Sequence, residues 1–321
     1  MPFPIKCLTV SVIVVAAIAT AMAAEFPRWA FAVNTPAGQP APDDGKVKHV
    51  PNSPVALTHT QINAITGTVP DWHPDEHPPM PDIVAKGRAP AVFACAYCHL
   101  PNGAGRPENA SLAGLPANYI KQEMQAFRHG DRPGSEPKRL PQTLMIALAK
   151  ALSEPEIEAA ASYFASLKPA SFVKVIETAT VPKTVVAGWT LTPAPGGDTE
   201  PIGNRIIEMP EDFERFENRD SRTPYRAYVP VGSIQRGAEL VTVIRGGTIP
   251  SCVSCHGPEL KGLGDIPRLA GRSPSFLMRQ LVDLRNGVRT GAASDLMKPV
   301  VANLDDADLV AIVAYLSSRE P

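Results

Sequence analysis

The sequence predicts an all-α protein of two tandem, similar helical units, preceded by a proline-rich irregular N-terminal extension and joined by an irregular linker. Three observations carry this: an internal repeat, apolar residues at helical spacing within each copy, and no convincing alternating strand pattern in either copy. The repeat is checked by subtraction. At an offset of 157, His99 aligns with His256, Leu112-Ala113-Gly114 with Leu269-Ala270-Gly271, and Tyr119 with Phe276. The same offset pairs Phe127 with Leu284, Arg128 with Arg285, Gly130 with Gly287 and Arg132 with Arg289. Further on, the offset falls to 152 and aligns Met145 with Met297, Leu152 with Leu304, and Tyr163 with Tyr315. Domains are therefore expected at 82–168 and 229–321, with an extension at 24–81 and a linker at 169–228.

In chain order, residues 1–23 read as an export signal. Lys6 is the positive n-region, Cys7 to Ala19 an apolar run, and Ala21-Met22-Ala23 an A-x-A cleavage site. The apolar run falls short of the roughly 20 residues a spanning helix needs, which disfavours a membrane anchor. Lys6 before Cys7 disfavours a lipoprotein anchor there. No later stretch is apolar enough to span a bilayer, so the mature chain is expected to be exported and soluble. Proline supplies 35 of 321 residues, roughly twice ordinary usage, and residues 25–58 are rich in it. His49 and His59 read as loop residues. The segment from Asp71 to Met80 holds Trp72, His73 and His77 among prolines and acids, and suits either a metal site or, preferably, a rigid strap over the first domain.

A helix is expected before each cysteine motif, around Asp82 to Gly87 and Ser233 to Arg245. A middle helix follows, striped by Ile120, Met124 and Phe127 in one copy and Leu277, Leu281 and Leu284 in the other. The last helix starts at a Ser153/Glu156 capping box in the first copy and at Asp305 in the second. Between the copies, Asp198 to Asp220 contains eight acids against three arginines, either a docking face for a basic partner or, preferably, a solvated connector. Across the whole chain 31 Lys and Arg nearly cancel 32 Asp and Glu, which excludes the basic surplus of a general nucleic-acid binder.

Cleavage removes Cys7 and leaves four cysteines in two identical C-x-x-C-H patterns, Cys95-Ala-Tyr-Cys98-His99 and Cys252-Val-Ser-Cys255-His256. This spacing suits covalent attachment of haem: two thiols add to the two vinyl groups of one porphyrin, and the adjacent histidine sits under the iron. A disulfide or thioredoxin-like pair does not require the following histidine twice. A zinc site requires further Cys or His ligands for each motif.

With these residues in view, the chain resembles class I cytochromes c, most closely their periplasmic dihaem forms. The resemblance covers about 82–168 and 229–321 and rests on both C-x-x-C-H motifs, the Leu-Ala-Gly stretch with its middle helix, and a methionine ahead of a capped terminal helix. It implies two small helical bundles, each around one covalently bound haem c, with a methionine from the loop before the last helix as sixth iron ligand. Carried over by position, the axial pairs are His99 with Met145 and His256 with Met297, and the attachment residues are Cys95, Cys98, Cys252 and Cys255. Met124, Met209 and Met278 lack a methionine counterpart and read as core. Arg128 and Arg285 are candidates for contacting haem propionates or carboxylates nearby, with a solvated role equally open. His129, opposite Asn286, reads as a surface residue.

Closed His/Met coordination suits a periplasmic electron carrier, or the cytochrome subunit of a dehydrogenase complex, working between a dehydrogenase or respiratory complex and an acceptor. The rival is a peroxidase-like dihaem enzyme with one open haem and a polar distal group such as His129 or His77. A cysteine-ligated haem is disfavoured because the mature chain has no spare cysteine.

Overall fold

The computed structural model describes residues 26–34, 43, 45–243, 246 and 249–321. The expected export signal and Arg245, the end of an expected helix, lie outside them. Among the described residues each repeat copy contains five helices in the same order: Asp82–Ala85, Cys95–His99, Ala117–His129, Leu140–Ala151 and Glu154–Ser166 in the first, then Ser233–Thr242, Cys252–His256, Pro274–Arg285, Ala292–Val301 and Asp306–Ser318 in the second.

The helix limits follow from local chemistry. The first middle helix stops at Gly130, whose φ of 82° is a left-handed conformation open to glycine, and whose N–H bonds to Phe127 O at 3.2 Å. At the last helices, Glu156 accepts from the Ser153 backbone N–H at 2.8 Å, and Asp305 accepts from the Asp308 N–H at 2.7 Å. The Leu-Ala-Gly stretches then tie the middle to the last helix. Gly114 and Gly271 have φ of +68° and +67°, and their N–H groups bond to Phe164 O and Leu316 O, both at 2.9 Å. These acceptors are themselves repeat partners, so the tie is the same in both copies.

The copies differ at their first helix. In the second, Ser233–Thr242 crosses Asp306–Ser318 so closely that a Cβ on Gly237 would lie 2.0 Å from Ala311 O. In the first, Asp82–Ala85 is a single turn. The second unit's core also takes in Ala30 and Phe31 of the extension and Ile206, Ala227 and Val229 of the linker region.

The linker departs from the irregular expectation. Val173–Glu177 pairs in parallel with Tyr225–Val229, which pairs antiparallel with Ile207–Pro210. Two further antiparallel pairs, Thr180–Pro182 with Thr199–Pro201 and Thr184–Ala187 with Thr190–Pro193, complete a small strand-rich body. Its core is Val181, Leu191, Ile202, Ile207 and Met209. The β-branched runs here favour pleated backbone, and prolines end several of the strands. The extension adds one short pair, Val47–Lys48 with Leu57–Thr58. The all-α description is therefore only roughly right, and holds for the two repeat units.

The linker folds back so that the repeat units pack on each other through a reciprocal polar cluster. Arg132 donates to Glu123 and Gln280, while its counterpart Arg289 donates to Gln280 at 3.0 Å and Glu123 at 2.6 Å. Glu123 and Gln280 are themselves related by the repeat offset. Ser135 donates to Asp283 Oδ1 from its N–H at 2.9 Å and its hydroxyl at 2.6 Å, and Thr290 N–H bonds Asp131 O at 2.8 Å.

Candidate haem sites

Each C-x-x-C-H motif forms one short helix, Cys95–His99 or Cys252–His256, which places its two cysteines three residues apart on one face. His99 and His256 are buried. Their Nδ1 atoms lie 2.8 Å from Ala110 O and Pro267 O respectively, acceptors related by the repeat offset. An Nδ1–H donated to a carbonyl fixes the tautomer and leaves Nε2 as the metal-binding nitrogen. Burial holds both imidazoles below the usual histidine range, in the neutral form that ligates metal. Burial, together with neighbouring Cys98, pushes the Cys95 thiol up to about 12.

Cys95, Cys98 and His99 line a cavity whose interior and mouth enclose about 1220 Å³. Its apolar walls include Leu115, Ile120, Phe127 and Phe164, and Met145 lines it as well. The structure thus brings all four first-copy candidates to one cavity. In the second copy Cys252 and Met297 pack against the same core, while Cys255 is exposed. Both methionines lie inside helices, Leu140–Ala151 and Ala292–Val301, where the resemblance implied a loop. For Met145 the apolar residues that follow, Ile146-Ala147-Leu148, provide the reason, since they sustain helical packing; the second helix runs on through Lys298 and Pro299. Met124, Met209 and Met278 pack in cores.

Arg128 does not line the first cavity, and both it and Arg285 are engaged elsewhere. Arg128 donates to Ala149 O at 2.9 Å and Leu152 O at 2.7 Å and pairs with Glu154; Arg285 donates to Leu304 O at 3.1 Å and pairs with Asp306 at 2.7 Å. Both secure the junction before the last helix. The arginines that line the first cavity are Arg132, Arg139, Arg272 and Arg279, the last two from the second copy. The sequence did not single out Arg272 and Arg279 because they align with Leu115 and Gln122, so the repeat does not carry them. That mismatch was itself the available signal.

The histidine segment packs as a strap. Trp72 Nε1 donates to Asn218 O at 2.7 Å, buried His73 lies 3.0 Å from Asp220, and His77 pairs with Asp71 at 3.2 Å. Asp71 chiefly raises the His77 pKa. Neither His77 nor the exposed His129 lines the first cavity, and among the described residues no cluster of three or more His, Cys, Asp and Glu is placed to hold a metal ion. The acidic run is not one face. Glu208 and Asp220 are each 1% exposed, Glu208 accepting from Ser273 Oγ at 2.7 Å, and Asp212 caps the Phe213–Glu217 helix.

The linker body also makes the two motifs unequal. Over the first, Arg219 stacks 3.6 Å from the Tyr97 ring and donates to Tyr97 O at 2.9 Å, and Arg106 donates to Phe216 O at 3.1 Å. The matching stretch of the second copy leaves Ser254, Cys255, Lys261 and Leu263 exposed. The outer cleft beside the first cavity is walled by Lys48, Trp189 and Glu214.

Two helical units, each presenting a thiol pair beside a buried neutral histidine, define a dihaem electron-transfer protein. The comparisons agree. The chain belongs to the cytochrome c family: the family described as Cytochrome c matches residues 84–168, and that described as Cytochrome C oxidase, cbb3-type, subunit III matches 234–316. Cytochrome c-554(548) of Halomonas halodenitrificans is 41% identical over 73 residues, which is 22% of this chain and 88% of that protein. The thiosulfate dehydrogenase electron acceptor of Thiomonas intermedia is 25% identical over 233 residues, covering 72% of this chain and 80% of that one. Cytochrome c4 of Azotobacter vinelandii is 26% identical over 237 residues, 72% and 87% of the two chains. The chain accordingly carries two covalently bound haem c groups and transfers electrons. Among the described residues no helix is long and apolar enough to cross a membrane.

Proposed function

We propose that the chain is an exported, periplasmic carrier with both haems closed by His/Met ligation, released from its signal near Ala23. Its haem domains are 82–168 and 229–321. Cys95 and Cys98 attach one haem and Cys252 and Cys255 the other, with His99/Met145 and His256/Met297 as axial pairs. The carrying observation is that Met145 lines one cavity with Cys95, Cys98 and His99, at a position the repeat reproduces as Met297.

Bound haem iron supplies the one-electron ferric/ferrous couple. The protein's part is to hold it. The carbonyls of Ala110 and Pro267 orient the two imidazoles, and soft thioether ligands favour the reduced state. The apolar wall lowers the local dielectric and excludes water. With His99 and Met145 holding one group and His256 and Met297 the other, each site would serve outer-sphere electron transfer.

The partners are redox proteins, and the names of the relatives favour a dehydrogenase such as thiosulfate dehydrogenase as donor. The linker body covers the first motif and leaves the second exposed, which supports docking on the second domain. There Leu263 and Leu296, 63% and 77% exposed, flank the candidate ligands in sequence. The test of ligation is optical titration of the purified protein. Methionine-to-iron absorption worth two haems, with no carbon monoxide binding by the ferrous form, is expected; one haem that lacks the band and binds carbon monoxide overturns the closed-site reading. For docking, Leu263→Glu is expected to slow reduction by a protein donor, and Val185→Glu on the linker body to leave it unchanged.

A further inference from the structure

Among the buried arginines at the domain interface, Arg139, Arg272 and Arg279 line the first cavity and form no ion pair with a carboxylate, although Glu108, Glu123, Glu208 and Asp283 act on them from farther off. Arg139, Arg272 and Arg279 are 4%, 3% and 6% exposed. Arg279 donates to Ala30 O at 2.8 Å and Pro107 O at 2.6 Å, Arg272 to Ser111 O at 3.1 Å, and Arg139 only to Glu108 O at 3.5 Å. The Nε–H groups of Arg139 and Arg272 are buried without an acceptor. Nearby Arg132 and Arg289 differ, since both pair with Glu123.

A guanidinium does not shed its proton at ordinary pH, so an unpaired one in a dry site calls for an anion. Burial pulls Arg139 down to about 10 and Arg279 well below its usual value, which marks how poorly solvated these cations are. All three line the cavity that His99 and Met145 share. Haem c brings two propionate carboxylates, and arginine receives carboxylates with a fork of donors matched to their geometry.

We propose that Arg139 together with Arg272 and Arg279 receives the propionates of the first haem, so that the second domain holds the first domain's haem in trans. The repeat alignment supports an interface role, because the first copy has Leu115 and Gln122 at the positions of Arg272 and Arg279. Two consequences follow. Domain docking is completed by the first haem's carboxylates, and the potential of that haem depends on cations supplied by the other domain. A fixed cation favours the ferrous form, which carries one less positive charge, so its removal lowers the potential.

The inference rests on the reading that Cys95, Cys98 and His99 seat a haem here, which is checked separately: Cys95→Ser/Cys98→Ser should lose the mass of one haem. The test compares holoprotein variants Arg272→Met, Arg279→Met and their Lys counterparts, with each haem's potential followed through its own paramagnetically shifted methyl resonances. The first haem is identified by contacts to Phe127. We expect each Met variant to lower its potential by about 59 mV, tenfold in the ferric/ferrous ratio, with the second haem moving less. The Lys variants should keep most of the wild-type value. Arg289→Met, which removes an interface arginine already paired with Glu123, should weaken docking without this selective shift. Potentials unchanged in Arg272→Met and Arg279→Met, or equal shifts in both haems, overturn the assignment. If a Met variant does not fold, the Lys variant decides by its methyl shifts: altered resonances confined to the first haem support propionate contact, and unaltered ones overturn it.

Discussion

Gly237→Ala tests how the second domain closes. An added methyl would sit 2.0 Å from Ala311 O and 2.6 Å from Tyr315 Cβ, where side chains do not approach below 3.0 Å. The nearest obstacle is backbone, so the Ser233–Thr242 and Asp306–Ser318 helices must part by roughly 1 Å, which forfeits a quarter to a half of the dispersion well at each contact. That opens packing around buried Leu309, Ile312, Val313 and Val241. Overpacking of this kind costs about 3 kcal/mol at the upper end of its usual range, against about 1 kcal/mol gained from alanine's helix propensity. The net loss of about 2 kcal/mol corresponds to a fall in Tm of roughly 8–16 °C for a domain of this size. Thermal unfolding followed by far-ultraviolet circular dichroism measures it. Combining Gly237→Ala with Tyr315→Ala should give no recovery, because the Ala311 carbonyl stays in place. An unchanged or raised Tm in the single variant would refute the close-crossing argument.

Three further outcomes are expected. Arg128→Ala strips two donors from Ala149 O and Leu152 O and should cost about 1–2 kcal/mol in urea unfolding, while the first haem's potential stays put because Arg128 does not line its cavity. Trp72→Phe leaves Asn218 O without its buried donor, so about 1–3 kcal/mol is lost and limited proteolysis within 71–81 accelerates. For His77, Asp71 raises the folded-state pKa above 6.5, with Glu76 adding to it, while burial opposes and the Tyr163 ring lies edge-on. Its contribution is therefore fully present below pH 6.5 and is lost as pH rises through the higher folded value. The Tm difference between wild type and His77→Gln should shrink over that window, and a difference that grows with pH would contradict the pairing.

The two haem units were legible in the sequence because their determinants are local and occur twice. Cys-x-x-Cys-His occupies one turn and a little more, so its chemistry needs no knowledge of distant residues. The caps at Ser153 and Asp305 and the apolar stripes around Ile120 and Leu277 act within a few residues as well. Repetition is also what made Met145 and Met297 the candidate ligands, since Met124, Met209 and Met278 have no methionine counterpart.

Other features depend on which residues meet across long separations. Val173–Glu177 finds its partner more than 50 residues on, at Tyr225–Val229, and the acidic composition between them obscured the β-branched runs. Both copies keep Arg128 and Arg285, which left haem propionates and nearby carboxylates open alike; the structure pairs them with Glu154 and Asp306 at the helix junctions. Arg272 and Arg279 lack repeat counterparts, and only the docking of one unit on the other carries them into the first cavity. Sequence by itself determined the cofactor chemistry and the helical units, whose causes lie within a turn or two of helix. Tertiary structure decided which buried arginines line the first cavity and which motif is left exposed, since burial and charge pairing arise only when distant segments exclude water together.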